Sequence, residues 1–453
     1  MKNWISAVAV NFEPRVVAVF FLGFSSGLPL LLILSTLSLW LSEEGVSKTT
    51  IGLFSLVGTA YALKYLWSPL VDRLPLPPLT TLLGRRRGWL IFSQLAVIVA
   101  IIGLGSTEPK VDLWQTAMWA VILAFASATQ DIVIDAFRIE ILDERQLGAG
   151  ASNVVLGYRV GMLAAGAGAL FAAEAYGWHG AYYVMAALMA VSMITVFLVS
   201  EPVERTSPAS AEREAKLNAF LHRFDGLPSG LRSAAAWVYG AVICPFAEFM
   251  LRPGWLAVLL FVALYKYADA LLGVMANPFY AEMGFTKPEI AEISKIWGLA
   301  MTLSGGVIGG VMIARWGIMK TLLLCCVLQG ASNLMYVAQA YAGHDIPMLS
   351  ATIAIENLTG GMGTTAFVAY LSSLCNIAYT ATQYALLSSF AVFARTFMAS
   401  AAGWLAENLG WVDFFLLSTA GALPGLLLLL WMMRKFRTPE SMGGARPALA
   451  EGD

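Results

Sequence analysis

Charge is scarce in this chain: Asp, Glu, Lys and Arg make up 13% of its 453 residues, against roughly 25% in an ordinary soluble domain. Cysteine and histidine are scarcer still. The four cysteines, Cys244, Cys325, Cys326 and Cys375, show no Cys-x-x-Cys spacing and fall in or beside apolar runs, so a disulfide framework or zinc site is not supported and core packing is expected. The three histidines, His179, His222 and His344, are scattered over expected loops, so neither a His-ligated metal nor a nucleophile–His pair can be assembled. No phosphate-cradling loop is present to power work by nucleotide hydrolysis. The pattern points away from an enzyme and calls for no cofactor. A net charge of −1 identifies no partner by itself, and nucleic acid is not expected. The opening "MKNWISAVAVNFEPR" has too short an apolar patch for a cleavable leader.

Apolar length is what the chain has in plenty. Hydrophobic residues reach 58%, the mean hydropathy is +0.72, and runs of about 20 apolar residues recur from residue 16 to residue 433. Each is long enough to span the ~30 Å hydrocarbon layer of a bilayer. Twelve spans are expected, at 16–41, 49–70, 88–107, 113–137, 149–173, 180–200, 255–280, 288–314, 319–341, 347–371, 380–406 and 411–433; they are numbered 1 to 12 below. With the N-terminus placed in the cytoplasm, only Lys48, Lys110 and Lys287 fall in exterior loops and five bases fall inside spans, leaving twenty of the 28 Lys and Arg on the inner side. That asymmetry fixes the expected orientation, with both termini inside. The expected organisation is a six-helix bundle over 1–200, a cytoplasmic linker over 201–253, a second bundle over 254–437 and a cytoplasmic tail over 438–453. Within the linker, "AAAWVYGAVICPFAEFML" (234–251) is apolar enough for a thirteenth crossing, but Pro245, Glu248 and the inversion of every later loop argue for a helix lying at the interface.

The two halves repeat. "GVSKTTI" (45–51) answers "GFTKPEI" (284–290), where Ser47 and Thr286 can cap the next helix and Thr286 with Glu289 has capping-box spacing. Arg73…Gly84-Arg-Arg-Arg87 answers Arg315-Trp-Gly317-Ile-Met-Lys320, and "AEAYGW" (173–178) answers "AENLGW" (406–411). Two parallel six-helix repeats joined by an inner loop describe an all-α major facilitator fold.

In that fold, as generally known, spans 1, 4, 7 and 10 line a central cavity and spans 3, 6, 9 and 12 face lipid. The latter four carry no charge in their interiors. Interior acids fall on span 4 (Asp131, Asp135), span 7 (Asp269) and span 10 (Glu356), and are the proton-coupling candidates. Interior bases are Lys64, Arg159, Lys266, Lys295 and Arg395. A charge at the bilayer centre costs ~2.5–3.5 kcal/mol on insertion scales, so these groups should line water or pair with one another. Lys64, Arg159, Lys266 and Arg395, with Gln130, Tyr158 and Asn357, would suit a bulky anionic ligand with a sugar or peptide part. Glu356 and Arg395 reach similar depth and are expected to approach each other. Asp131 and Asp135 share one helix face; Asp131 is the deeper and the better coupling candidate, with Arg159 or Lys64 as its basic partner. Asp135 with Arg138 belongs to an inner gate, together with the latch formed by Asp72, Arg73, Arg85, Arg86 and Arg87. Arg138 and Glu140 also fall at the inner water boundary, where solvated anchoring is expected.

The stretches "GFSSGLPL" (23–30), "LKYLWSPLVDR" (63–73), "LGRRRGW" (83–89), "SATQDIVIDAFRIE" (127–140), "LGYRVGML" (156–163), "VALYKYADA" (262–270), "ENLTGGMGTTAFVAYLSSLCN" (356–376) and "TATQYALLSS" (380–389) resemble the AmpG family of muropeptide permeases. The resemblance runs from about residue 15 to residue 433. It implies a monomeric proton symporter in the bacterial inner membrane that imports N-acetylglucosaminyl-1,6-anhydro-N-acetylmuramyl peptides for cell-wall recycling and feeds β-lactamase induction. Related branches carry acetyl-CoA, and a non-transporting membrane sensor on the same scaffold is the competing class.

Overall fold

A computed structural model of the chain describes residues 8–202 and 243–435. Residues 1–7, the tail and most of the linker, including the expected interfacial helix up to residue 242, lie outside the described residues, as do the side chains of Lys48, Lys287 and Lys295. Of that expected helix, Cys244–Met250 is described and is helical.

The described residues are helical throughout, with no strand among them. Nine stretches are long and apolar enough to cross a membrane by length and composition. One of these, Glu144–Leu198, runs 55 residues but turns back at Gly177 (φ 72°), so it holds both span 5 and span 6. Span 2 is a succession of short pieces from Lys48–Phe54 to Ser68–Arg73. Span 10, Ile346–Ser373, is one unbroken 28-residue helix that carries Glu356, Asn357 and several threonines. All twelve expected spans are therefore present as helices.

Equivalent turns are built by equivalent residues. Positive φ, which a Cβ disfavours, occurs at Gly45 and Gly284, at Gly84 and Gly317, and at Gly177 and Gly410, each pair at matching points of the two repeats; the last two pairs are both 233 residues apart. Spans 4 and 10 open on Asp112 and Asp345, whose carboxylates accept from Gln115 N (3.0 Å) and Met348 N (2.8 Å). Such caps satisfy backbone donors that a helix start leaves over. Thr286 and Glu289 form the expected capping box, with Thr286 N donating to Glu289 Oε2 at 2.7 Å, and Ser47 Oγ accepts from Thr50 N.

The halves meet at the arginine-rich end, called here the basic end. Ser152 Oγ on span 5 donates to Gly306 O on span 8 (2.8 Å), beside a glycine contact between Gly148 and Gly310. Arg138 Nη1 donates to Ser372 Oγ (3.0 Å), and the Asp72 carboxylate accepts from the start of span 11. These hydrogen bonds join the halves at the basic end.

Candidate functional site

In the first half, the acids of span 4 lie in a dry setting. Asp131 is 8% exposed and accepts from Ser26 Oγ on span 1 at 2.5 Å. Its neighbour Gln130 is fully buried and donates to Ser25 Oγ (3.1 Å), which donates to Ser192 Oγ (2.9 Å) on span 6; Gln94 on span 3 closes the chain at 2.6 Å. Spans 3 and 6 thus turn polar side chains inward, while Phe92, Leu95 and Val99 on span 3 and Ile194 and Phe197 on span 6 stay exposed on the outer face. One turn along span 4, Asp135 lies between two bases, with Arg138 at 3.4 Å and Lys64 Nζ at 3.8 Å. Lys64 is buried and does not snorkel to the surface. Its charge also acts on Asp131, whereas Arg159 has no contact with that acid.

In the second half the polarity is reversed. Lys266 Nζ donates to Asp269 Oδ2 (2.8 Å) and to Thr364 Oγ1 (3.3 Å) on span 10. Gln329 Nε2 on span 9 also donates to Asp269. Thr364 follows Asp131 by the 233 residues that separate Gly84 from Gly317, so it occupies the position of Asp131 in the second repeat. The span 1–span 4 contact Ser26–Asp131 is thereby answered by Lys266–Thr364, with the acid replaced by a base on the other helix.

Glu356 and Arg395 are not paired. Glu356 accepts from Asn357 Nδ2 (2.8 Å), and Asn357 Oδ1 in turn accepts from Thr302 (2.8 Å). The expectation rested on depth alone, and equal depth does not set the direction a helix face points. Arg395 is exposed, lies beside Gly273 and shares an electrostatic field with Arg159, the residue after Tyr158 on span 5. Among the described residues, neither Arg159 nor Arg395 has an ion-pair partner. Two guanidiniums, one from each half, therefore act on each other with no neutralising acid among the described residues.

The expected latch divides its labour. Arg86, 1% exposed, donates through Nη2 to Asp72 Oδ1 (2.8 Å) and through Nε to Glu140 Oε2 (2.9 Å). Arg85 Nη1 donates to Asp72 O (2.8 Å), Arg87 Nε to Val196 O (3.0 Å), and Arg73 ends the helix Ser68–Arg73. These arginine contacts all stay within the first half. Asp72 crosses, accepting from Ala381 N (3.3 Å), Thr382 N (2.9 Å) and Thr382 Oγ1 (2.7 Å) at the start of Thr380–Ala399. A carboxylate there meets leftover amide donors and the positive end of the helix dipole. Arg138 and Glu140 are not solvated anchors: Arg138 is fully buried against Ser372 and the Tyr384 ring, and Glu140 is taken up by Arg86.

A model of the Major Facilitator Superfamily matches residues 19–330. The chain is 41% identical over 420 residues to the anhydromuropeptide permease of Escherichia coli K12, covering 92% of this chain and 79% of that one. It is 37% identical over 423 residues to the putative transporter AmpG 4 of Rickettsia felis, covering 93% and 97%. This chain belongs to the AmpG family of the major facilitator superfamily. Two solved structures share the fold at low identity. The proton:xylose symporter XylE aligns with a TM-score of 0.62 at 12% identity over 98% of this chain and 99% of its own. The human organic anion transporter MFSD10 aligns with a TM-score of 0.59 at 15% identity, over 95% and 100%. Members of this AmpG family are named as transporters and not as enzymes.

Several residues of this AmpG-family site escaped the sequence reading. Ser26 sits in "GFSSGLPL", where a hydroxyl reads as packing until its partner on span 4 is known. Thr364 could have been found by carrying the 233-residue repeat spacing across to Asp131. Gln329 gave no signal, because span 9 reads as lipid-facing by its lack of charge.

Proposed function

We propose that this protein imports anhydromuropeptides, N-acetylglucosaminyl-1,6-anhydro-N-acetylmuramyl peptides, across the bacterial inner membrane together with protons. The observation that carries this reading is the pair of cavity arginines, Arg159 and Arg395, that the protein leaves without acids. Two like charges that act on each other with no acid between them repel, and an anionic ligand bound between the halves relieves that repulsion. The name of the Escherichia coli relative supplies the substrate class, and a carboxylate-bearing sugar peptide suits two such bases, with Lys64, Lys266, Tyr158 and Asn357 as the further binding groups and Gln130 holding span 4 in place. The two bundles, 1–200 and 254–437, rock about this site, and the basic end faces the cytoplasm with both termini. Asp131 is the coupling acid: its protonation frees Lys64 from one of two carboxylates, and opening of the basic end returns the proton to the cytoplasm. Asp269 and Glu356 are the second-half acids available to the same task.

Proteoliposome uptake of radiolabelled anhydromuropeptide tests this. Accumulation is expected with an imposed pH gradient, acid on the side away from the basic end, and collapse is expected when a protonophore is added. Uptake that ignores the gradient removes proton coupling; binding without flux turns the protein into a sensor; flux of acetyl-CoA in preference to muropeptide reassigns the substrate.

A further inference from the structure

The connection between the halves is anchored at both ends on the gate. Upstream, Glu201 accepts from Arg86 N (2.7 Å) and Arg87 N (2.9 Å), capping the helix whose Arg86 holds Asp72. Downstream, the helix Cys244–Met250 and Arg252, the residue after its C-cap Leu251, form a clasp around one buried amide. Arg252 is 7% exposed and donates to Glu248 from Nε (3.0 Å) and Nη2 (2.6 Å). Gln383, 1% exposed, is held on every side: Oε1 accepts from Asn376 N (2.7 Å) and Arg252 Nη2 (3.3 Å), and Nε2 donates to Glu248 Oε2 (2.5 Å) and Pro245 O (3.2 Å). Arg252 Nη1 also donates to Leu374 O, the residue that closes span 10.

The position of this clasp is what gives it consequence. Gln383 directly follows Thr382, which supplies two of the three second-half hydrogen bonds to Asp72. Leu374 lies two residues after Ser372, the acceptor for Arg138. Glu248 and Arg252 therefore grip the second half at the exit of span 10 and the entry of span 11, the two places where gate bonds from the first half land. Helix ends fray, and a fully bonded glutamine at the fourth residue of span 11 holds its start in one register. We propose that Glu248, Arg252 and Gln383 are positioning residues of the transport cycle. They present the start of span 11 to Asp72 and thereby favour the form closed at the basic end. The clasp ties the end of the linker to the second half alone and makes no bond to the first, so it acts by preorganising the gate and is itself kept when the gate opens.

The inference rests on the alternating-access reading above, but its test needs no substrate, so the two can fail separately. Spin labels are placed on the full chain in nanodiscs at Leu82→Cys and Lys320→Cys, exposed positions on the two halves at the basic end, with the four native cysteines replaced by alanine. Glu248→Gln and Arg252→Lys are expected to move population toward the longer, open distance, as Asp72→Asn does. In uptake the same variants are expected to raise the apparent KM about fivefold to tenfold, since apparent affinity falls with the fraction in the binding-competent form. The charge swap Glu248→Arg with Arg252→Glu is expected to restore both. Where Glu248→Gln gives no folded protein, Gln383→Met, which keeps the volume and removes the amide, takes its place. If these variants keep the wild-type distance distribution while Asp72→Asn opens the gate, the clasp merely fastens the linker and the proposal is overturned.

Discussion

In the first half, Gly23 and Gly27 on span 1 and Gly157 and Gly161 on span 5 let two backbones touch; a Cβ on any of the four would be driven into the partner's main chain. In the second half the same device joins other helices, with Gly305 and Gly309 on span 8 against Gly361 on span 10. The turns of the repeat match, but the tightly packed pairs do not. The glycines of spans 7 and 11, the second-half counterparts of spans 1 and 5, make no such backbone contact: a Cβ at Gly273 or Gly403 would meet only a side-chain tip at 3.9 Å. Small residues set which helices approach most closely in a bilayer, where apolar burial offers little discrimination. The halves thus share a path for the chain while each makes a different pair of helices rigid. The charged residues follow the same division: a buried acid on span 4 in one half, and a base on span 7 in the other.

The largest effect is expected from breaking the tight pairs. Gly27→Val or Gly157→Val forces two backbones apart, at or above the ~1–3 kcal/mol usual for overpacking, a large share of a folded protein's ~5–15 kcal/mol. Little folded protein should survive solubilisation, measured by monodispersity and melting temperature. Gly273→Ala, where a Cβ meets only the Arg395 tip at 3.9 Å, should change neither. Equal damage from both would remove the distinction between welded and open glycines.

Exchanging the charges comes next. Asp131→Asn should abolish proton-driven accumulation while leaving substrate exchange. Lys266→Gln, losing a charge-assisted contact of ~1.5–3 kcal/mol, should weaken apparent affinity by about 10- to 100-fold and keep coupling to the gradient. One shared phenotype in both variants would mean that the halves do not divide the work. The smallest effect lies at the matched turns. Thr286→Ala should cost ~1 kcal/mol by loss of a reciprocal capping box. Ser47→Ala, which loses a cap without an acidic partner, should cost less, as read by amide exchange at the start of spans 8 and 2.

How far the sequence carried the reading follows from which interactions are local. Turns, caps and repeat symmetry were legible because a positive-φ glycine or a Thr286–Glu289 spacing acts within a few residues. The polarity of the cavity helices was legible because uncompensated charge is rare in an apolar chain. Partner choice was not. Depth along a helix says nothing of azimuth, so Glu356 and Arg395 looked like a pair and are not one. Glu140 looked solvated because its partner Arg86 lies 54 residues away in the chain. The chain of Gln94, Ser192, Ser25 and Gln130 crosses four helices and has no local signature.

The carboxylate of Asp72 has one foot in each half, and its bonds differ in what happens when they part. Three bonds run to the start of span 11, and one runs to Arg86 beside it. Separation of the halves falls along the first three together, since all end on a single turn of helix. The fracture leaves an acid still neutralised by its own arginine, and amides that water can take over at once. No charge is stranded on either face of the break. A joint that parts along its cheapest seam and keeps its hook intact can open and re-form without limit, as a machine that turns over must.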